Sequence, residues 1–330
     1  MMELVPRPSD LFVSAEGRAC PAPTRGPGNH AVTVLDRREF LALLAPALLT
    51  AAAPALSIAH YKSSPATADG IAEEARRLTR GAIDALGGMG RFVSKGHVVW
   101  VKPNIAWDRR PEQAACTNPD VVAALVEMCF QAGAKRVAVS DNPCNSAQRT
   151  FPRSGIQSAA EKAGAQCYFM DERKFRKMAI TGAHVLKEWE IYGDVVEADR
   201  VINVGIVKQH SLTGAVLGMK NLMGVAGGAR NRFHQDISNT VVDLAGFIRP
   251  QLVVLDAVRV LAANGPAGGN LADVKRRDTI VAGVDQVAVD AFGATLLGLR
   301  PADIGYVVEG HARGLGNMNY AALSPARVEV

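Results

Sequence analysis

The sequence predicts a three-layer α/β sandwich around a mainly parallel sheet, and two observations carry that expectation. Short β-branched runs alternate with helix-length segments across most of the chain, the pattern of a parallel sheet covered on both faces. Polar and glycine-rich clusters follow the apolar runs, at the strand ends where open α/β sheets hold ligands.

In chain order, residues 73–86 have the spacing of an amphipathic helix that Gly87 and Gly88 can end. Residues 97–101 form a strand delivering Lys102, Pro103 and Asn104, with Pro103 biasing Lys102 toward an extended backbone. Asn118 is placed to cap a helix that has Pro119 at its first position and runs to about Ala132, before Gly133. A strand over residues 136–140 completes a unit of the right-handed parallel kind. A helix over 154–163 and a strand over 166–170 repeat the pattern, and residues 174–192 suit a small β excursion. A helical turn over 194–198 then precedes a strand over 201–207. Beyond it come a helix over 237–247 ended by Pro250, a strand over 251–255 closing on Asp256, a strand over 279–282, and a helix over 285–297 capped by Asp285.

With 330 residues, 48% hydrophobic and 31 of them glycine, the chain is long enough to bury a sizeable core. Its formal charge of +5 is mild and scattered. The basic runs at 173–177 and 275–277 match no recognition motif, so no nucleic-acid partner is expected.

Residues 1–31 are rich in Pro, Gly and Ala without periodicity and read as a disordered leader or the product of a misassigned start. Residues 32–59 read as a twin-arginine signal peptide: Arg37 and Arg38 precede Phe40-Leu41 and an uncharged, alanine-rich run. The match departs from the usual pattern at Asp36 and Ala42. Ser57-Ile58-Ala59 fits a small-x-small cleavage site, so a single α/β domain over 60–330 is expected in the periplasm, exported by the twin-arginine machinery. An uncleaved membrane anchor is the alternative, although Pro46, Pro54 and the many alanines make the run a weak one.

Of five cysteines, Cys20 lies in the leader. The spacing of Cys116, Cys129, Cys144 and Cys167 excludes compact CxxC clusters. Cys129 falls on an apolar helix face, whereas Cys144 follows a strand end and Ser140-Asp141-Asn142-Pro143, a position open to either a structural or a metal-binding role.

The stretch 201–225, VINVGIVKQHSLTGAVLGMKNLMGV, concentrates the polar chemistry. Lys208 and His210 share a face of an extended chain, Gly214 and Gly218 permit close backbone approach, and Lys220 and Asn221 add a second polar cluster. The glycine-rich turn Asn264-Gly265-Pro266-Ala267-Gly268-Gly269 matches neither a P-loop nor a dinucleotide fingerprint.

Taken in order, Val101-Lys102-Pro103-Asn104, Thr117-Asn118-Pro119, Lys208-Gln209-His210, Met219-Lys220-Asn221-Leu222-Met223-Gly224-Val225, His234-Gln235, Asn264-Gly265-Pro266 and the segment 282–291 resemble the family known as domain of unknown function 362. The resemblance covers about residues 97–310. It implies redox surroundings and a redox partner, because members are often exported by the twin-arginine route or fused to iron–sulfur modules. Two departures are visible: Gln286 stands where proline is usual, and Thr150 where some relatives carry a second cysteine.

The function expected is binding or turnover of an anionic small molecule at the carboxyl edge of the sheet. Lys102, Lys208 and Lys220 would neutralise it, and Asn104, Asn221 and Asn264 would orient it. His210 or His234 would exchange protons, with Asp256 or Asp290 holding a histidine in one tautomer. Two alternatives stay open. One is a metal- or iron–sulfur-dependent electron-transfer or cofactor-handling protein using Cys144, the two histidines and an aspartate. The other is a non-catalytic exported accessory protein. No GxSxG or HExxH signature names a reaction.

Overall fold

Apolar side chains alternate along the strands of the computed structural model, which describes residues 53–62 and 67–330, and so fill both faces of one sheet. The elements are β1 (Leu56–His60), α1 (Ala68–Ala85), β2 (Val98–Pro103), α2 (Pro119–Gln131), β3 (Arg136–Val139), α3 (Ala147–Arg153), α4 (Ile156–Lys162) and β4 (Gln166–Cys167). A hairpin of β5 (Phe175–Ala179) and β6 (Glu188–Tyr192) leads through α5 (Gly193–Glu197) into β7 (Arg200–His210). Then follow β8 (Gly214–Val216), α6 (Gly218–Asn221), α7 (Ile237–Ile248), β9 (Leu252–Leu261), β10 (Val274–Gly283), α8 (Gln286–Thr295), α9 (Gly305–Ala312) and β11 (Ala326–Glu329).

The main sheet runs β11-β1-β10-β9-β7-β2-β3-β4, with β8 folded back on β7. The block β9-β7-β2-β3-β4 is parallel throughout, while β10 is antiparallel to both of its neighbours. Val99, Val101, Val137 and Val139 pack on one face with α1 and α2. Val253, Leu255 and Val281 point to the other, against α7, α8 and α9. This is the three-layer α/β sandwich with a mainly parallel sheet, and the β5–β6 hairpin is its β excursion. As the cap expectations required, Asn118 accepts from the N–H of Asp120 and Asp285 from that of Ala288.

Two boundaries move. β7 continues through Lys208 and His210 instead of ending at Val207, because Gly214–Val216 turns back and pairs Lys208 with Val216 and His210 with Gly214. β9 likewise runs on past Asp256 to Leu261, since β10 supplies it with an antiparallel neighbour there.

At the front, the sheet includes residues ahead of the expected cleavage site. β1 lies between β10 and β11, with Leu56 and Ile58 buried among residues of β9, β10 and α8. Cleavage after Ala59 would remove four of its five residues and expose the flank of β10, so the sheet begins no later than Leu56. The twin-arginine motif and the uncharged run up to Ala52 lie outside the described residues. No helix among the described residues is long and apolar enough to cross a membrane.

Candidate functional site

Because β7, β2 and β3 are adjacent and parallel, their carboxyl ends open on one side of the sheet. Lys102 leaves β2 there, Asp141 follows β3, and Lys208 and His210 extend β7 beyond them. Together with Asn104, Cys144, Lys220, Asn221, Arg230 and His234 they line one cavity of about 380 Å³, roofed in part by Trp107, Met223 and Pro266. Lys102 and Lys208 therefore share an edge and a site, although more than a hundred residues separate them.

The floor is a closed polar network. Lys102 Nζ lies 2.7 Å from Asp141 Oδ1 and donates to Asn221 Oδ1 at 3.0 Å and to the Pro103 carbonyl at 2.9 Å. Three acceptors use all three N–H groups of an ammonium, so this geometry calls for the charged form. Burial, the strongest influence, lowers the Lys102 pKa, and Asp141 opposes it. Asn221 Oδ1 also accepts from Asn104 Nδ2 at 3.0 Å, while its Nδ2 donates to Asn203 Oδ1 at 2.8 Å and to the Lys102 carbonyl at 3.2 Å. Since lysine can only donate, the orientation of the Asn221 amide is fixed. Asn104 Oδ1 in turn accepts from Lys208 Nζ at 3.0 Å, and Lys208 also donates to the Ala115 carbonyl at 2.6 Å.

Lys220 is different. It is 7% exposed, and among the described residues the Met223 sulfur, 3.6 Å away, is the one hydrogen-bond partner of its Nζ. Burial, reinforced by the Lys208 charge, lowers its pKa to about 8; burial also brings Lys208 to about 8.

The two histidines take opposite tautomers. His210 Nδ1 accepts from the backbone N–H groups of Leu212 at 3.1 Å and Thr213 at 3.3 Å, so the ring proton sits on Nε2. Burial, then the charges of Lys220, His234 and Lys208, press its pKa down to about 3. His210 is thus a neutral N–H donor at working pH. His234 Nδ1 lies 3.1 Å from the Asn231 carbonyl, which can only accept, leaving Nε2 with a free lone pair.

A family model described as Domain of unknown function (DUF362) matches residues 99–295. The chain belongs to this family. The DUF362 match spans every cavity residue named above. A thylakoid-associated protein of Synechocystis sp. is 29% identical over 234 residues, covering 68% of this chain and 70% of the relative. Among solved structures, the lactate racemase apoprotein of Thermoanaerobacterium thermosaccharolyticum aligns at 12% identity and a TM-score of 0.43, and a Thermotoga maritima protein at 14% and 0.36. Each alignment covers 72% of the DUF362 chain, which spans 56% and 60% of those structures. Similarity at this level carries no argument about activity.

Three candidates do not line the cavity. Asp256 is buried within β9, where it accepts from the N–H of Asn118 at 2.7 Å and of Val258 at 3.0 Å, tying α2 to the sheet. Asp290 accepts from the N–H groups of Gly218 at 2.7 Å and Met219 at 2.8 Å, which sets the start of α6 and so the placement of Lys220. Neither carboxylate orients a histidine: backbone groups do that. Burial raises both pKa values, to about 6 and about 7. Asn264 is exposed and bonds the Asp273 carboxylate; it is Pro266 of the same turn that reaches the cavity.

Cys144 lines the cavity and is exposed, whereas Cys116 and Cys129 are buried. No group of three or more His, Cys, Asp or Glu side chains among the described residues is arranged to hold a metal ion. The donor set proposed for a metal or cluster therefore does not fit, since Cys144, His210 and His234 share the cavity without converging.

Three residues had escaped a functional assignment. Asp141 is the counter-ion of Lys102, Asn203 braces Asn221, and Arg230 donates to the Asn142 and Pro143 carbonyls at the rim. For Asn203 the signal was an amide interrupting an otherwise apolar strand.

Proposed function

We propose that the cavity binds a small molecule carrying a carboxylate or phosphate and catalyses proton transfer on it. One observation carries this reading: four cationic side chains, Lys102, Lys208, Lys220 and Arg230, surround the cavity with Asp141 as the carboxylate among its lining residues. Cations crowded in a poorly solvated space repel one another, and an anion relieves that cost. Lys208 retains an N–H beyond its two protein acceptors. The proton on His210 Nε2 suits a developing oxyanion, as a neutral imidazole can polarise a carbonyl without titrating away. His234, with a free lone pair, is the base.

The test is calorimetric titration of the full chain with lactate, pyruvate and inorganic phosphate. Binding that weakens with added salt and is lost in Lys208→Met supports the proposal. Failure of all three anions to bind would sink it.

Export is part of the same proposal. The segment up to about residue 53 would act as a twin-arginine signal, processed within the small-residue run at 51–53 so that β1 stays whole. Fractionation of cells expressing the Arg37→Lys, Arg38→Lys double variant should find the protein retained inside; undiminished export would refute it.

A further inference from the structure

We infer that Lys220 is the covalent residue of this cavity, its amine condensing with the carbonyl carbon of a small 2-oxo carboxylate to form an imine. The inference rests on the anion-binding reading and assigns it a substrate class.

The three buried lysines divide by what their nitrogens touch. Lys102 spends its N–H groups on Asp141, Asn221 and the Pro103 carbonyl. Lys208 is bound to Asn104 and the Ala115 carbonyl. Both nitrogens are held in place by oxygen acceptors. Lys220, also buried, has no oxygen partner among the described residues and meets only a thioether, a weak acceptor. A buried lysine held apart from carboxylates and beside another cation is the arrangement that favours the free amine, the nucleophilic form.

Its mounting is rigid. The two N–H groups at the start of α6 are held by Asp290, and Asn203 donates to the Gly218 carbonyl at 2.7 Å. A Cβ at Gly218 would lie 2.7 Å from Val253 and 2.8 Å from Asp290, so only glycine lets the turn sit this close to the sheet. The consequence is a lysine whose backbone is anchored while its amine stays unengaged. With the pKa near 8 described above, a useful fraction of that amine is neutral around neutrality.

The chemistry balances without a further reagent. The Lys220 lone pair adds to the carbonyl carbon, giving a carbinolamine. His234 Nε2 takes one proton from the added nitrogen and passes it to the carbinolamine oxygen; that oxygen leaves as water with the nitrogen's second proton, and the product is the imine. The substrate's carboxylate stays on Lys208, and His210 Nε2–H faces the carbonyl oxygen as its charge grows.

The experiment treats the full chain with pyruvate and cyanoborohydride, which reduces an imine to a stable amine, and maps the adduct by peptide mass spectrometry. Lactate, which has the carboxylate but no ketone, is titrated in parallel by calorimetry. Lys220 should be labelled on the order of tens of times faster than any exposed lysine, as its lower pKa leaves far more free amine. Lys220→Met and Lys220→Arg, each checked for folding by circular dichroism, should give no adduct in the cavity. If lactate binds but Lys220 is labelled no faster than exposed lysines, the imine assignment is overturned and the anion site stands. If neither lactate nor pyruvate binds, the imine assignment falls, and the anion site falls with it only if inorganic phosphate fails to bind as well.

Discussion

Lys102 Nζ and Asp141 Oδ1 meet at 2.7 Å with both side chains enclosed, and they can do so because Gly224 has no side chain. A Cβ there would overlap the Asp141 carboxylate and lie 2.6 Å from Lys102 Nζ. Gly224→Ala should therefore force the pair apart and cost about 3 kcal/mol or more, the scale for breaking a buried ion pair. Gly90→Ala, where an added Cβ meets nothing within 4 Å, is the control and should shift the denaturation midpoint little. Equal midpoints for the two variants would contradict the role given to Gly224.

Lys208 is part of the scaffold as well as the site. Its removal strands the Ala115 carbonyl and Asn104 Oδ1, so Lys208→Met should lose roughly 1–3 kcal/mol of stability in addition to ligand affinity. Lys220→Met, which breaks no hydrogen bond to oxygen, should leave urea stability close to that of the parent chain.

The same two lysines set opposite pH trends. Both folded pKa values are near 8, below the unfolded 10.5. Anion affinity should fall above about pH 8 as the charges are lost. Between about 8 and 10.5 the unfolded chain binds more protons than the folded one, so the lysines' contribution to stability rises with pH. Calorimetry and denaturation across that range should show the two curves diverging; parallel curves would mean these lysines titrate normally.

For His210 the window lies on the acid side. With a folded pKa of about 3 against 6.5 unfolded, the unfolded state takes up the proton first, and this residue's contribution to stability declines as pH falls through 6.5 toward 3. Nitrogen NMR should find the ring neutral, with its proton on Nε2, at pH 5. An imidazolium signal there would exclude it as the neutral donor.

Cys144 should react with a thiol reagent quickly and be protected by bound phosphate, because it lines the cavity. Cys129, buried and with its pKa pushed up to about 12, should react only on unfolding. Faster labelling of Cys129 in the folded chain would contradict this packing.

Much of the sheet was legible because strand periodicity, helix caps and terminating glycines are local signals. Asn118, Gly133 and Asp285 mark their helices through their own backbone geometry and bonding. The convergence of Lys102, Lys208, Lys220 and Asn221 was legible for a topological reason, since successive parallel strands deliver their ends to one edge. What stayed hidden depends on partners distant in sequence. Whether Asp256 and Asp290 serve chemistry or hold backbone N–H groups turns on which loop packs against them. The strand at 56–60 was hidden by composition, as small apolar residues ahead of His60 suit a signal's end and a buried strand equally well. Only pairing with residues 279–283 distinguishes the two.

That pairing bears on the order in which the sheet can assemble during synthesis. Leu56 pairs with Gly283 and Ser57 with Ala326, and β1 is the one neighbour of β11 among the described residues. Both partners of β1 are thus translated more than two hundred residues after it. Until those partners emerge, Leu56 and Ile58 lack the strands they pair with, and β1 remains an unsheltered hydrophobic strand available to a chaperone. Docking of β1 therefore waits on β10 and β11, the two strands that flank it.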